Sequence, residues 1–305
     1  KMLEYSEYND CLEVYENIDG GEYLAGIIDN PVSRRNYQIF AGKEAEHGLF
    51  GEQKRVQANS GLQLRTIVKE KIAYVKIPSF ELRYIKDDGE RLMDFYRSIA
   101  SYSNLIIDIR GNQGGSSIYY TENILKPLLP GNVAYRADEY MLLKNGLESA
   151  GYLQSLNLSG KIKPLENLPE FKNLSKNDLE DLSYFVYDNS LLFRPSNKKP
   201  LYSNKIWLLV DEHCYSAAES FALTAKKNNF ATLVGTRTGG DGIGFDPLMT
   251  ALPNSGIIFR YSCQYGINPD GACNEEFGTF PDVPAESGGD ALNICLERIL
   301  SARAE

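Results

Sequence analysis

Histidine is scarce in this chain, whose 305 residues hold only two, His47 and His213. Its five cysteines, Cys11, Cys214, Cys263, Cys273 and Cys295, show no Cys-x-x-Cys spacing. Both shortages argue against a zinc centre, which draws on clustered His and Cys ligands. No apolar run approaches the roughly 20 residues a membrane-spanning helix needs, and no signal peptide is recognisable at the start. Basic charge is short as well: the net charge of -9 argues against a nucleic-acid partner, because phosphate contacts need a basic surface. Neither a Gly-x-Gly-x-x-Gly fingerprint nor the Gly-Lys-Ser/Thr ending of a P-loop occurs at the glycine-rich turn discussed below, so a phosphate cradle is the weaker reading there. No cofactor and no metal are expected.

A hydrophobic content of 43% is enough for a substantial core, as one large domain or two ordinary ones. Lys205-Ile206-Trp207-Leu208-Leu209-Val210 reads as a strand, and Asp211 to Tyr215 as a turn leading into a helix that starts at Ser216. The first turn of a helix offers free backbone NH groups and partial positive charge, so a serine there can act as a nucleophile. Ser216 and Glu219 also have the Ser-x-x-Glu spacing of a capping box, and capping alone would account for both. Asn104-Leu105-Ile106-Ile107-Asp108-Ile109 forms a second strand, followed by Arg110-Gly111-Asn112-Gln113-Gly114-Gly115. Glycines let backbone amides approach a ligand closely. Beside Ser216, the Gly114 and Gly115 amides would make an oxyanion hole, whereas the plain alternative is a tight turn. Cys214 lies two residues before Ser216, in the turn rather than at the helix start, and a buried free cysteine is usually a small hydrophobe.

Four segments, in order, resemble the motifs of the tail-specific (C-terminal processing) serine peptidases. They are Asp108-Ile109-Arg110-Gly111-Asn112-Gln113-Gly114-Gly115, Tyr215-Ser216-Ala217-Ala218-Glu219, Ala231 to Gly240, and Gly278-Thr279-Phe280-Pro281-Asp282. The resemblance covers residues 71 to 285 and extends to the tricorn protease and to retinoid-binding relatives that are not peptidases. It implies an α/β fold with a crotonase-like core of repeated β-β-α units and a peptide or protein substrate. An extracytoplasmic location is slightly favoured on the same basis. By resemblance Ser216 is the nucleophile, the Ala217 amide and a Gly114 or Gly115 amide form the oxyanion hole, and Glu219 matches an auxiliary carboxylate. The processing peptidases carry a base lysine in Gly-Lys-Gly, where this chain has Gly240-Asp241-Gly242, and an anionic Asp241 cannot replace a neutral amine. The tricorn-like branch uses a histidine oriented by a carboxylate, and Glu275 sits at that carboxylate's position.

Neither His47 nor His213 lies in a context that resembles the family's histidine motif, and both are carried as auxiliary candidates for the base. The chain starts at Lys1 with a pattern of helix already under way, so the expectation is a base histidine upstream of it. The alternative is a member that binds peptides or small apolar ligands without cleaving them, and an esterase or acyltransferase would share the chemistry.

The expected organisation is a helical N-terminal and linking segment at 1–70, a first core part at 71–131, a helical insertion at 132–200, and a second core part at 201–305. Residues 132–200 are read as helical because leucines interleave with Lys, Asn, Glu and Asp, as a lid or as a solvated excursion. No PDZ module is recognisable there. Cys263 and Cys273 flank a turn-rich stretch, and a disulfide and two free thiols are both open readings.

Overall fold

The computed structural model describes residues 60–130, 134–144, 161–189, 191–193, 199–245, 247–252, 254–255, 258–285 and 289–301. Strands that are apolar without a break are buried on both faces and belong in parallel sheets. Ile72-Ala73-Tyr74-Val75 and Leu105-Ile106-Ile107 are of this kind. They belong to a six-stranded sheet formed by β1 (Gln63–Val68), β2 (Ile72–Lys76), β3 (Asn104–Asp108), β9 (Lys205–Val210), β10 (Thr232–Gly235) and β14 (Val283–Pro284), in that order. β1 runs antiparallel to β2 and the other pairings are parallel.

Alternation along these strands divides the core into two layers. Ala73, Val75, Leu105, Ile107, Leu208 and Val210 face α1 (Ile85–Ser98), α2 (Ser117–Tyr120) and α3 (Ala217–Lys227). Ile72, Tyr74, Ile106, Leu209 and Val234 face α5 (Ala291–Ser301), which presents Ala291, Cys295 and Ile299. In α1 the buried Leu92 and Tyr96 are four residues apart on one stripe, and Asp87 and Asp88 favour the positive end of its dipole. α2 continues through a π turn, Thr121–Leu125, into a last turn at Lys126–Leu128. The strands read at 104–109 and 205–210 and the helix read from Ser216 are present to within a residue, as β3, β9 and α3.

Phe221 of α3 is fully buried among Phe80, Tyr120 and Phe230, with ring centroids 6.0, 5.3 and 6.1 Å away. Such pairs contribute about 0.5–1.5 kcal/mol each beyond burial. They hold α3 against α2 and the turn at Phe80, and with it Ser216.

The insertion is a correction to the sequence reading. Among its described residues it is built of strands, not helices: β4 (Tyr135–Arg136), β5 (Glu139–Lys144), β6 (Ile162–Pro164), β7 (Leu182–Asp188) and β8 (Leu191–Phe193). β5, β6 and β7 join β13 (Gln264–Ile267) in an antiparallel sheet of order β13-β5-β7-β6, while β4 pairs with β8. The remaining strands, β11 (Leu248–Ala251) and β12 (Ile258–Tyr261), form a hairpin. The leucines that suggested a helix, Leu165, Leu168, Leu174 and Leu179, lie in short turns that pack onto this sheet. Tyr184-Phe185-Val186-Tyr187 are good strand formers, and Tyr187 stacks on Tyr140 at 4.6 Å.

Residues 1–59 of the expected helical N-terminal and linking segment lie outside the described residues, and the described end of that segment is β1. Of the expected β-β-α repeats, β1-β2-α1 has two strands paired with each other and followed by a helix, while β3 and β9 each lead directly to a helix. Cys214, Cys263, Cys273 and Cys295 are buried and form no disulfide among the described residues. Among the described residues no helix is long and apolar enough to cross a membrane, and no group of three or more His, Cys, Asp or Glu could hold a metal ion.

Candidate active site

β3 and β9 are neighbours, with Asp108 paired to Leu209, so the turns that follow them open side by side. Asp211 stitches these turns together. Its Oδ1 accepts from the Gly111 NH at 2.9 Å and from the His213 NH at 3.1 Å. Cys214, fully buried, donates its thiol to Ile109 O at 3.1 Å. Burial pushes that thiol well above its ordinary pKa, which makes it a poor nucleophile.

Ser216 occupies the cap position of α3 at φ 54° and ψ -122°, a region costly for any residue with a side chain. It makes no side-chain capping bond, so the capping-box reading fails on geometry. The Ser216 NH instead donates to Gly240 O at 3.1 Å, and the Tyr215 NH donates to Asn112 O at 3.1 Å. Among the described residues the Ser216 hydroxyl makes no hydrogen bond.

Gly114 closes on this elbow from the other strand. At φ +100°, a side-chain carbon on it would meet Tyr215 O at 2.7 Å, Ser216 Cβ at 2.8 Å and Ala217 N at 2.9 Å. Only glycine permits that approach. The Gly114 NH is already engaged, donating to Asn112 Oδ1 at 2.8 Å. The Gly115 and Ala217 amides donate to nothing among the described residues, while the following Ala218 NH bonds Tyr215 O and the Ser220 NH bonds Ser216 O. Phe80 pairs with Gly115 in an isolated bridge that pins the turn.

Glu219 points away from the cap into the interior. It is fully buried, and its Oε1 accepts from Asn274 Nδ2 at 2.8 Å and Thr279 Oγ1 at 2.7 Å. Its Oε2 is sealed from solvent without a hydrogen bond of ordinary geometry. Burial raises its pKa against the opposing pull of those bonds. Asn274 begins α4 (Asn274–Phe277), and its Oδ1 takes the Gly242 NH at 2.6 Å, which ties the glycine loop to the same cluster.

Glu275 comes close to the elbow through Tyr215, whose hydroxyl donates to Glu275 Oε1 at 3.0 Å. Burial first, then the charge of Asp241, pushes the Tyr215 hydroxyl up. Asp241, at φ +61°, thus lies beside Tyr215. His213 is exposed, and the bond that places it is made by its backbone. His47 lies outside the described residues. The structure therefore brings Ser216, Ala217, Gly114, Gly115, Glu219, Glu275 and Asp241 into one neighbourhood, with His213 in the adjoining turn. Asn112, Asn274 and Thr279 stood unremarked inside or beside the sequence motifs, although asparagine next to paired glycines is a turn signal.

The model of peptidase family S41 matches residues 71–285. The chain belongs to peptidase family S41. Solved structures similar to this family member include a candidate peptidase from Parabacteroides merdae ATCC 43184, 21% identical, covering 85% of this chain and 70% of that one at a TM-score of 0.54. Mature CPAF is 20% identical, with 73% of this chain and 49% of that one covered at 0.48. The photosystem II D1 C-terminal processing protease is 16% identical, with 70% and 42% covered at 0.41. The chain thus spans about half the length of mature CPAF. No curated protein matches it.

Proposed function

We propose that this S41 member is a serine peptidase of the tail-specific type, acting on a peptide or protein substrate through an acyl-enzyme on Ser216. The observation that carries the reading is the Gly114 approach to Ser216. It sets an unbonded serine hydroxyl beside two uncommitted amides, those of Gly115 and Ala217.

In this mechanism Ser216 Oγ adds to the scissile carbonyl as a base removes its proton. The Gly115 and Ala217 NH groups hold the resulting oxyanion. The C–N bond then breaks, the amine leaves with that proton, and water hydrolyses the ester to restore the serine. The base is a histidine from outside the described residues, and Glu275 orients it from beside Tyr215. Glu219 serves as a buried brace between α3 and the Asn274 segment and takes no part in proton transfer to substrate.

A fluorophosphonate probe tests the reading without knowledge of the natural substrate. Labelling of the chain that disappears in Ser216→Ala supports it. If a longer natural chain that carries an upstream histidine also fails to label, the noncatalytic binding reading replaces it.

A further inference from the structure

We infer that Asn112 is a positioning residue that selects the oxyanion donors: by holding the Gly114 amide, it leaves Gly115 to pair with Ala217. The inference rests on the acyl-transfer reading of Ser216.

Asn112 is fully buried, and all four of its polar groups are used. Its NH donates to Ile109 O at 3.0 Å, and its carbonyl accepts from the Tyr215 NH at 3.1 Å. Its Oδ1 accepts from the Gly114 NH at 2.8 Å, and its Nδ2 donates to Ile77 O at 3.1 Å. One side chain thus joins the residue just past β2, the glycine turn after β3 and, through its backbone, the elbow before Ser216.

The rest of the turn is tied down around Gly115. Gly114 O accepts from the Phe80 NH at 2.9 Å, and the Ser116 NH donates to Phe80 O at 2.8 Å. With the Gly114 and Ser116 amides both engaged, Gly115 is the turn residue between them whose NH is left for an incoming charge. Asparagine suits the position because one end must accept while the other donates. Aspartate would set a carboxylate against the Ile77 carbonyl. An apolar residue would leave the Gly114 NH and Ile77 O buried and unpaired.

The test compares the full chain with Asn112→Ala and Asn112→Asp, and with Ile299→Ala in α5 as a buried control away from the turn. Three quantities are read: the rate of fluorophosphonate acylation, the KM for a fluorogenic peptide, and the inhibition constant of a peptidyl boronate, which mimics the tetrahedral oxyanion. A misplaced donor is expected to slow acylation on the order of 100-fold in both Asn112 variants and to weaken the boronate by a similar factor, with KM within about threefold. A purely structural role would instead lower all variants in proportion to their loss of Tm. If Asn112→Ala acylates within about threefold of the unmodified chain, or if Ile299→Ala at matched Tm loses as much, the positioning role is overturned and the acyl-transfer reading stands. If neither the unmodified chain nor a longer natural chain that carries an upstream histidine acylates, the acyl-transfer reading falls and takes the Asn112 role with it.

Discussion

A side-chain carbon built on Gly114 would lie 2.8 Å from Ser216 Cβ, closer than carbon atoms pack. Residues about a hundred positions apart in the chain are thus held in contact, because β3 and β9 are neighbours in the sheet and their turns open at the same edge. The amides around that contact define the site.

Gly114→Ala combines a positive φ with direct overlap on Ser216 and Ala217. Strain of this kind costs about 1–3 kcal/mol, and relief requires the turn to move away from the serine. The expected result is a lowered Tm together with loss of fluorophosphonate labelling. An alanine variant that labels at the unmodified rate would mean that the turn plays no part in acylation.

Ser216 carries strain without a compensating capping bond. Ser216→Ala should therefore leave stability nearly unchanged, in contrast to the loss of about 1 kcal/mol typical when a capping serine is removed. Ser216→Gly, which relieves the positive φ, should raise stability by roughly 1 kcal/mol. Denaturant unfolding of both variants checks the pair, and a marked destabilisation by alanine contradicts the geometry.

Glu219 is buried with its pKa raised by burial. The folded state therefore binds its proton more tightly than the unfolded chain. The resulting stabilisation is complete below the ordinary glutamate pKa of about 4.3 and is lost as pH rises through the raised folded value. Glu219→Gln removes the penalty of burying the charge and keeps an oxygen to accept from Asn274 and Thr279. Its Tm should gain on the unmodified chain as pH rises from about 4.3 toward neutrality, and parallel Tm curves would show that Glu219 is not protonated on folding.

Glu139 opens β5 at the junction with α3, where burial, with help from Asp188 and Asp138 against Lys227, pushes its carboxyl up to about 7 from 4.5. Lys227 Nζ donates to Ala137 O at 2.8 Å and to Asp138 O at 2.7 Å at that junction. The sign matches that of Glu219: the contribution is complete below pH 4.5 and gone above about 7. Glu139→Gln should flatten this decline by about 3 kcal/mol. Chemical unfolding at pH 4.5, 6 and 8 measures it, and the same slope in both proteins would place Glu139 in water.

Much of the core was legible because its signals are local. Uninterrupted apolar runs such as Ile72 to Val75 and Leu105 to Ile107 mark strands buried on both faces, and the glycines and Asp211 mark the turns that follow. The insertion was misread for a local reason too. Leucines interleaved with polar residues, from Leu165 to Leu179, instead lie over a sheet whose strands pair across some forty residues. Glu219 was legible as a candidate but not as a buried brace, since its partners Asn274 and Thr279 lie 55 and 60 residues away.

By itself the sequence determined which segments carry the chemistry: an apolar strand ending at a serine, another ending at paired glycines, and family motifs in fixed order around them. Local composition suffices for that, because burial and turn preference act over a few residues. The tertiary structure alone decided that Ser216 is strained rather than capping and that Asn112 engages Gly114. It also decided that Glu219 is buried away from solvent and that the insertion is a sheet. Each of these depends on contacts between distant segments, and such contacts exist only once the strands have paired.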